Sequence, residues 1–134
     1  MSQIFQATTA GITVAVRAVY LPGQSNPKTG HFVWAYHITI TNESDIPVQL
    51  LRRTWYITDE HGYTQRVHGD GVVGEQPLLE PGESFAYSSG TSLATPSGFM
   101  TGQYHMEAAT DGRAFDIAIP AFSLDSPEQN ATRH

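Results

Sequence analysis

The sequence predicts an all-β protein, an antiparallel β-sandwich of about seven or more strands. Three observations support this fold class. Apolar and polar side chains alternate in several runs that are rich in aromatic and β-branched residues, which is typical of half-buried strands. Glycine and proline, with 12 and 8 copies, separate these runs at short intervals. No run shows a convincing helical period, so two packed sheets are favoured over a mixed fold.

Four strands are predicted by alternation alone. Every second residue is apolar over residues 12–20 and again over residues 32–40. The same alternation recurs over residues 115–119 and, with a glycine at position 102, over residues 100–106. Because successive side chains of a strand point to opposite faces, each of these segments buries one face in a core.

Residues 48–58 also indicate a strand, with a helix as the weaker alternative because residues 54–58 are aromatic and β-branched. Their alternation changes phase partway along. A β-bulge adds one residue to a strand and exchanges the faces that follow it, so we predict a bulge near residues 50–53. Turn-forming residues lie between the predicted strands. They occupy residues 22–30, 42–47, 59–62, 80–83 and 110–113.

Length and composition restrict the organisation of the chain and its classes of partner. Its 134 residues indicate one domain, which we place at residues 1–124, followed by a flexible tail at 125–134. The net charge of −6, with Lys28 the only lysine, disfavours nucleic acid as a partner. The absence of cysteine excludes disulfides and thiolate metal sites. Without a long apolar run we predict no membrane insertion, and we expect a cytoplasmic location.

Residues 69–74 read Gly-Asp-Gly-Val-Val-Gly and match the GxGxxG pattern of dinucleotide-binding loops. In those loops the backbone amides approach a pyrophosphate at the N-terminus of a helix. Here Pro77 and Pro81 prevent a helix from following the glycines. The favoured interpretation is therefore structural, a glycine-rich loop at a β-edge where positive φ angles are needed.

A narrower alternative is an anion nest, in which consecutive loop amides surround a phosphate without a helix. Two basic side chains just before the glycines would add positive charge, whereas Asp70 and Glu75 would oppose an anion. The candidate residues of this nest are Gly69, Gly71, Gly74, Arg66 and His68.

Direct binding of a divalent metal is a further alternative, because 6 histidines and the carboxylates can supply nitrogen and oxygen ligands. The close combinations are His68 with Asp70 and Asp59 with His61. Neither combination supplies three ligands at a recognised spacing, so turn chemistry is the favoured explanation of both. The chain contains neither a GxSxG nor an HExxH motif, and we predict neither an enzyme nor a bound cofactor.

A longer set of positions forms a pattern together with these glycines. It includes Arg53, Trp55, Asp59, Glu75, Gln76, Pro77, Pro81, Gly82, Glu83, Phe85, Tyr87, Ser89, Gly90, Thr95, Pro96, Gly98, Gly102 and Tyr104. This pattern resembles the bacterial ApaG family. The resemblance covers about residues 11–124, nearly the whole chain. The family's glycine motif falls on residues 69, 71 and 74, with departures at His68 and Asp70, where a charged residue such as arginine and a proline are common in the family.

The resemblance implies an immunoglobulin-like or fibronectin type III-like β-sandwich, in agreement with the strand pattern. It also implies a link to cobalt resistance and magnesium efflux, without an established catalytic activity. Related domains in eukaryotic F-box proteins and in proteins that interact with DNA polymerase delta imply a protein-binding role. We therefore predict a non-enzymatic module with an unknown protein partner, in which a divalent cation or a phosphate makes only weak contact. The alternatives are a protein that binds or metabolises nucleotides or pyrophosphate through residues 69–74, and a direct divalent-metal binder.

Overall fold

A computed structural model describes residues 3–127 of the chain. In this range the backbone forms nine β-strands and two short 3-10 helices, which confirms the all-β prediction. The strands are β1 (Ile4–Thr9), β2 (Ile12–Tyr20), β3 (Phe32–Asn42), β4 (Val48–Asp59), β5 (Thr64–Asp70), β6 (Leu78–Leu79), β7 (Ser84–Leu93), β8 (Gly98–Ala108) and β9 (Ala114–Leu124).

The strands form two antiparallel sheets that pack face to face. The first sheet has the order β1-β2-β3-β7. The second has the order β5-β4-β8-β9, with the short strand β6 paired beside β5 on the same edge of β4. This arrangement is the predicted immunoglobulin- or fibronectin type III-like sandwich.

The core between the sheets is formed by the alternating apolar residues. All five apolar side chains of the predicted alternation in β3 are buried, and so are those that begin β2. An aromatic cluster joins the two sheets, because the ring centroids of Tyr36 and Trp55 are 5.4 Å apart and Phe122 lies 6.0 Å from each of them. The pairs of Trp55 with Tyr36 and with Phe122 are edge-to-face, and such packing adds about 0.5–1.5 kcal/mol per pair beyond the burial of area.

The predicted bulge in β4 is present, and it decides which side chains face the core. The pairing of β4 with β8 shifts register between Leu50 and Arg52. Val48 and Leu50 are buried before the shift, whereas Arg53 and Trp55 point between the sheets after it. A bulge has this effect because its extra residue exchanges the faces of the strand beyond it.

The two long sides of the sandwich differ. On one side β1 and β2 pack against β9, with the rings of Phe5 and Phe122 at 6.5 Å and the amide of Ala118 donating to Thr9 Oγ1 at 3.2 Å. On the other side β7 and β5 are the outermost strands, and a cleft opens between the sheets. We call this the open side.

The predicted turn over residues 42–47 is organised by the buried side chain of Asn42. Its Nδ2 donates to the carbonyls of Ile46 and Leu79, both at 2.9 Å, and its Oδ1 accepts the amide of Ser44 at 3.0 Å. The predicted loop over residues 22–30 contains the two 3-10 helices, Pro22–Gln24 and Pro27–Thr29, each of which starts at a proline. Both segments therefore connect strands as expected.

The packed unit continues beyond the predicted boundary at residue 124. Trp34 Nε1 donates to the carbonyl of Asp125 at 2.8 Å, and the buried hydroxyl of Ser126 donates to the carbonyl of Pro96 at 2.6 Å. Most of the predicted tail, residues 128–134, lies outside the described residues. Within residues 3–127, no helix has the length and apolar character needed to cross a membrane.

Candidate functional site

The glycine motif forms a tight hairpin turn after β5. The amide of Val72 donates to the carbonyl of Glu75 at 2.8 Å, and the amide of Glu75 donates back at 2.9 Å. The two residues between them have positive φ angles, +43° at Val73 and +83° at Gly74. Positive φ at both central positions is characteristic of a type I′ turn, which suits the twist of a hairpin. Gly71, with φ +61°, precedes this turn.

This geometry uses loop amides that an anion nest would need. Besides the amides of Val72 and Glu75, the amide of Gly71 donates to the carbonyl of Leu51 at 2.8 Å. A nest binds an anion through several convergent amides that lack protein acceptors. The motif is followed by β6, so the helix N-terminus of a dinucleotide-binding loop is also missing at this position.

The glycine motif also contacts the side chain of Arg53 on the neighbouring strand. Arg53 Nη1 donates to the carbonyl of Asp70 at 2.9 Å and to that of Gly71 at 3.0 Å. Gly69 lies in β5 opposite Arg53, and a Cβ at this position would be 2.8 Å from Nη1 and 3.2 Å from Cζ. The first glycine of the motif therefore leaves space for a guanidinium, whereas positive φ angles are found at Gly71 and Gly74.

Arg53 also lines the cleft at the open side, which has a volume of about 210 Å³. The cleft lies between β4 and β5 of one sheet and β3 and β7 of the other. Its walls combine polar and apolar side chains, among them Tyr36, Arg53, Trp55, Val67, Ser89 and Thr91.

Three tyrosines lie beside Arg53 and remain neutral at physiological pH. Burial raises the pKa of Tyr36, Tyr87 and Tyr104 above the usual 10.0, because a phenolate would lose its hydration. The hydroxyls of Tyr87 and Tyr104 are hydrogen-bonded to each other at 2.5 Å. The positive charge of Arg53 therefore faces neutral phenols rather than phenolates.

A chain of polar contacts crosses the outer face of the second sheet. Thr54 Oγ1 lies 2.8 Å from His68 Nδ1 and 2.7 Å from His105 Nε2, and His105 Nδ1 lies 2.7 Å from the carboxylate of Asp116. A hydroxyl, an imidazole and a carboxylate in this order match the composition of a nucleophilic triad. Thr54 is only 2% exposed and is enclosed by both histidines, so its oxygen cannot reach a substrate. These contacts link the four adjacent strands β5, β4, β8 and β9 through their side chains.

The remaining candidate residues are dispersed. Arg66 is exposed on β5, opposite Tyr56, and lies away from the cleft. The carboxylate of Asp59 accepts the amides of His61 at 2.9 Å and Tyr63 at 3.0 Å, so it closes the hairpin between β4 and β5. Within residues 3–127, no group of three or more potential metal ligands comes together.

Sequence reasoning named Arg53 only as a position matched to the family and gave it no role, and it missed the polar contacts of His105. A signal for Arg53 was available, because it occupies the same alternation as Trp55 once a bulge is placed before it. The pairing of His105 with Thr54 and Asp116 had no local signal, since the three residues come from three strands.

Comparison with known proteins agrees with the resemblance. A model of the ApaG domain matches residues 22–108. A Protein ApaG from Paramagnetospirillum magneticum is 57% identical over 126 residues, which cover 94% of this chain and 96% of that protein. A Protein ApaG from Brucella anthropi is 54% identical over 129 residues, covering 96% and 98%.

A solved structure supports the same assignment. The crystal structure of a protein from Bordetella pertussis described as ApaA superposes with a TM-score of 0.84 at 46% sequence identity. The superposition covers 87% of this chain and 94% of that protein. The sandwich, the glycine hairpin and the sequence matches lead to one conclusion: the chain belongs to the ApaG family.

Proposed function

We propose that the chain is a non-enzymatic protein-binding module whose partner adds a strand to the free edge of β7. One observation carries the proposal: β7 is the outermost strand of its sheet, has 10 residues, and contains neither a charged residue nor a proline. Natural proteins usually protect such edges with charges, proline or short strands, because unpaired backbone groups recruit other chains. An unprotected edge is the feature used in recognition by strand addition.

The other outer strands are protected in ways that β7 is not. β5 carries Arg66 and Asp70, and β9 contains Asp116 and Pro120. β1 has no charge, but it has only 6 residues and packs against β9. The contrast favours β7 as the edge that receives a partner.

The proposal assigns the family's link with cobalt resistance and magnesium efflux to a protein partner rather than to metal bound by this chain. It is supported by the hydrogen bonds that the candidate metal ligands already make within the protein, since Asp59 accepts two turn amides and His68 is hydrogen-bonded to Thr54.

A cytoplasmic location is part of the same proposal, and fractionation of cells that express the protein would test it.

The test uses a lysine placed on the edge and a matched lysine elsewhere. Ala86→Lys adds a charge to the exposed outer face of β7, and Ala118→Lys makes the same change on the exposed face of β9. We expect the wild-type chain and Ala118→Lys to capture the same partner from a cell lysate. Ala86→Lys should lose it, and hydrogen exchange in the complex should slow along residues 84–93.

Several results would contradict the proposal. Capture retained by Ala86→Lys, or exchange protection confined to other strands, would exclude the β7 edge. Addition of Co²⁺ or Mg²⁺ should leave capture unchanged, whereas a metal-dependent capture would favour direct metal binding. Sustained turnover of ATP or pyrophosphate by the purified chain would show that the protein is an enzyme.

A further inference from the structure

We propose that the cleft at the open side binds a carboxylate group, with Arg53 as the cation that receives it. The first reason is the hydrogen bonding of the guanidinium. Of its five N–H donors, those on Nη1 are used by the carbonyls of Asp70 and Gly71. Nε and Nη2 make no hydrogen bond with a described residue, and the only ion pair within residues 3–127 is His105 with Asp116.

The second reason is the cleft that surrounds this cation. Tyr36, Ser89 and Thr91 line it. Tyr36 and Ser89 are hydrogen-bonded to each other, and the hydroxyls of this group can supply a donor to a second oxygen. Trp55 and Val67 form an apolar wall. A volume of about 210 Å³ holds a carboxylate and a short side chain, since a water molecule takes about 30 Å³. A half-buried guanidinium beside such a wall attracts an anion more strongly than one in bulk water does.

The third reason is that the guanidinium is already fixed in place. Two carbonyls hold Nη1, and the absence of a side chain at Gly69 lets the guanidinium lie against the β5 backbone. A pre-positioned cation loses less conformational freedom on binding than a flexible surface arginine does. The glycine motif therefore acts through Arg53 and not through its own amides.

The charge of the cleft favours a carboxylate over a phosphate. Arg53 is the only basic side chain that lines it among the described residues, and one planar guanidinium matches one carboxylate. A phosphate dianion would need a second cation, but Arg66 lies on the outer face of β5. The inference rests on the proposed function only for the source of the carboxylate, an acidic side chain or chain end of the protein that pairs with β7.

The test is an NMR titration of the purified chain with sodium acetate, with sodium chloride at equal ionic strength as the reference. We expect saturable shifts of the Arg53 Nε–H resonance and of the amides of residues 69 and 89–91. Arg53→Gln should weaken acetate binding roughly tenfold or more, because it removes charge-assisted hydrogen bonds. Arg52→Gln removes the same charge from the exposed neighbour and should leave binding unchanged.

A second variant keeps the inference testable even if Arg53→Gln fails to fold. Ser89→Leu fills the cleft and leaves Arg53 in place, and it should also abolish the shifts. Equal shifts with acetate and chloride, equal weakening by the two arginine variants, or stronger binding of inorganic phosphate than of acetate would overturn the inference. Acetate binding without capture of a partner would support the pocket and refute the β7 proposal, so the two failures are distinguishable.

Discussion

Replacement of Gly71 by alanine tests whether the glycine motif is structural. At this position φ is +61°, and an added Cβ would lie 2.3 Å from the carbonyl oxygen of Glu75. The left-handed conformation costs an L-residue about 1–2 kcal/mol. Relief of the overlap requires a backbone shift, which costs about 1–3 kcal/mol more by comparison with overpacked cores. We therefore expect Gly71→Ala to lower the free energy of unfolding by roughly 2–5 kcal/mol.

Gly74→Ala is the matched control, because its φ of +83° carries the same conformational cost while nothing lies within 4 Å of an added Cβ. It should lower the free energy of unfolding by only about 1–2 kcal/mol. Urea unfolding of the three proteins, followed by tryptophan fluorescence, gives both differences. Equal losses in the two variants would refute the argument from close approach, and a loss below about 1 kcal/mol at Gly71 would refute the positive-φ argument as well.

Two further predictions concern the turn and the buried tyrosines. Val73, exposed and β-branched at φ +43°, is poorly suited to the turn, so Val73→Asn should stabilise the fold by about 0.5–1 kcal/mol in urea unfolding. Tyr87→Phe should cost about 1–3 kcal/mol, because it leaves the buried hydroxyl of Tyr104 without its partner, and the double Phe variant should cost less than the sum of the single changes. Because burial raises the pKa of both phenols above 10.0, the unfolded chain releases these protons first. The free energy of unfolding should therefore be constant below about pH 10 and fall above it by about 1.4 kcal/mol per pH unit for each phenol. The fall should be less steep in Tyr87→Phe. A free energy of unfolding that stays constant up to about pH 11 would contradict this prediction.

The glycine motif shows why a matched pattern needs its structural context. In a dinucleotide-binding loop the glycines bring amides to a phosphate, and a helix follows. Here Gly71 and Gly74 permit a hairpin, and Gly69 leaves room for Arg53. The same three glycines thus allow a tight turn and make room for an arginine side chain, because the chain continues into a strand and not into a helix.

Local sequence determined most of the fold. The alternation around Trp34 predicted a strand with one buried face, and the change of phase after Leu50 predicted a bulge that the structure contains. Such features are readable because strand period and turn chemistry act over a few neighbouring residues. The loop at residues 69–74 belongs to the same class, because its glycines predicted positive φ angles and the prolines after them excluded a helix. The hairpin that closes between Val72 and Glu75 was not predicted.

Tertiary structure alone decided what the side chains do. Arg53 meets the carbonyls of Asp70 and Gly71 across 17 and 18 positions, and Thr54 meets His105 across 51. These contacts depend on which strands pair and in which register, and a shift of one residue would turn every side chain of a strand to the other face. The positions of β5 and β7 as outer strands, and the cleft between them, likewise follow from strand order. Strand order is set by the packing of the whole core, and no local segment of the sequence encodes it.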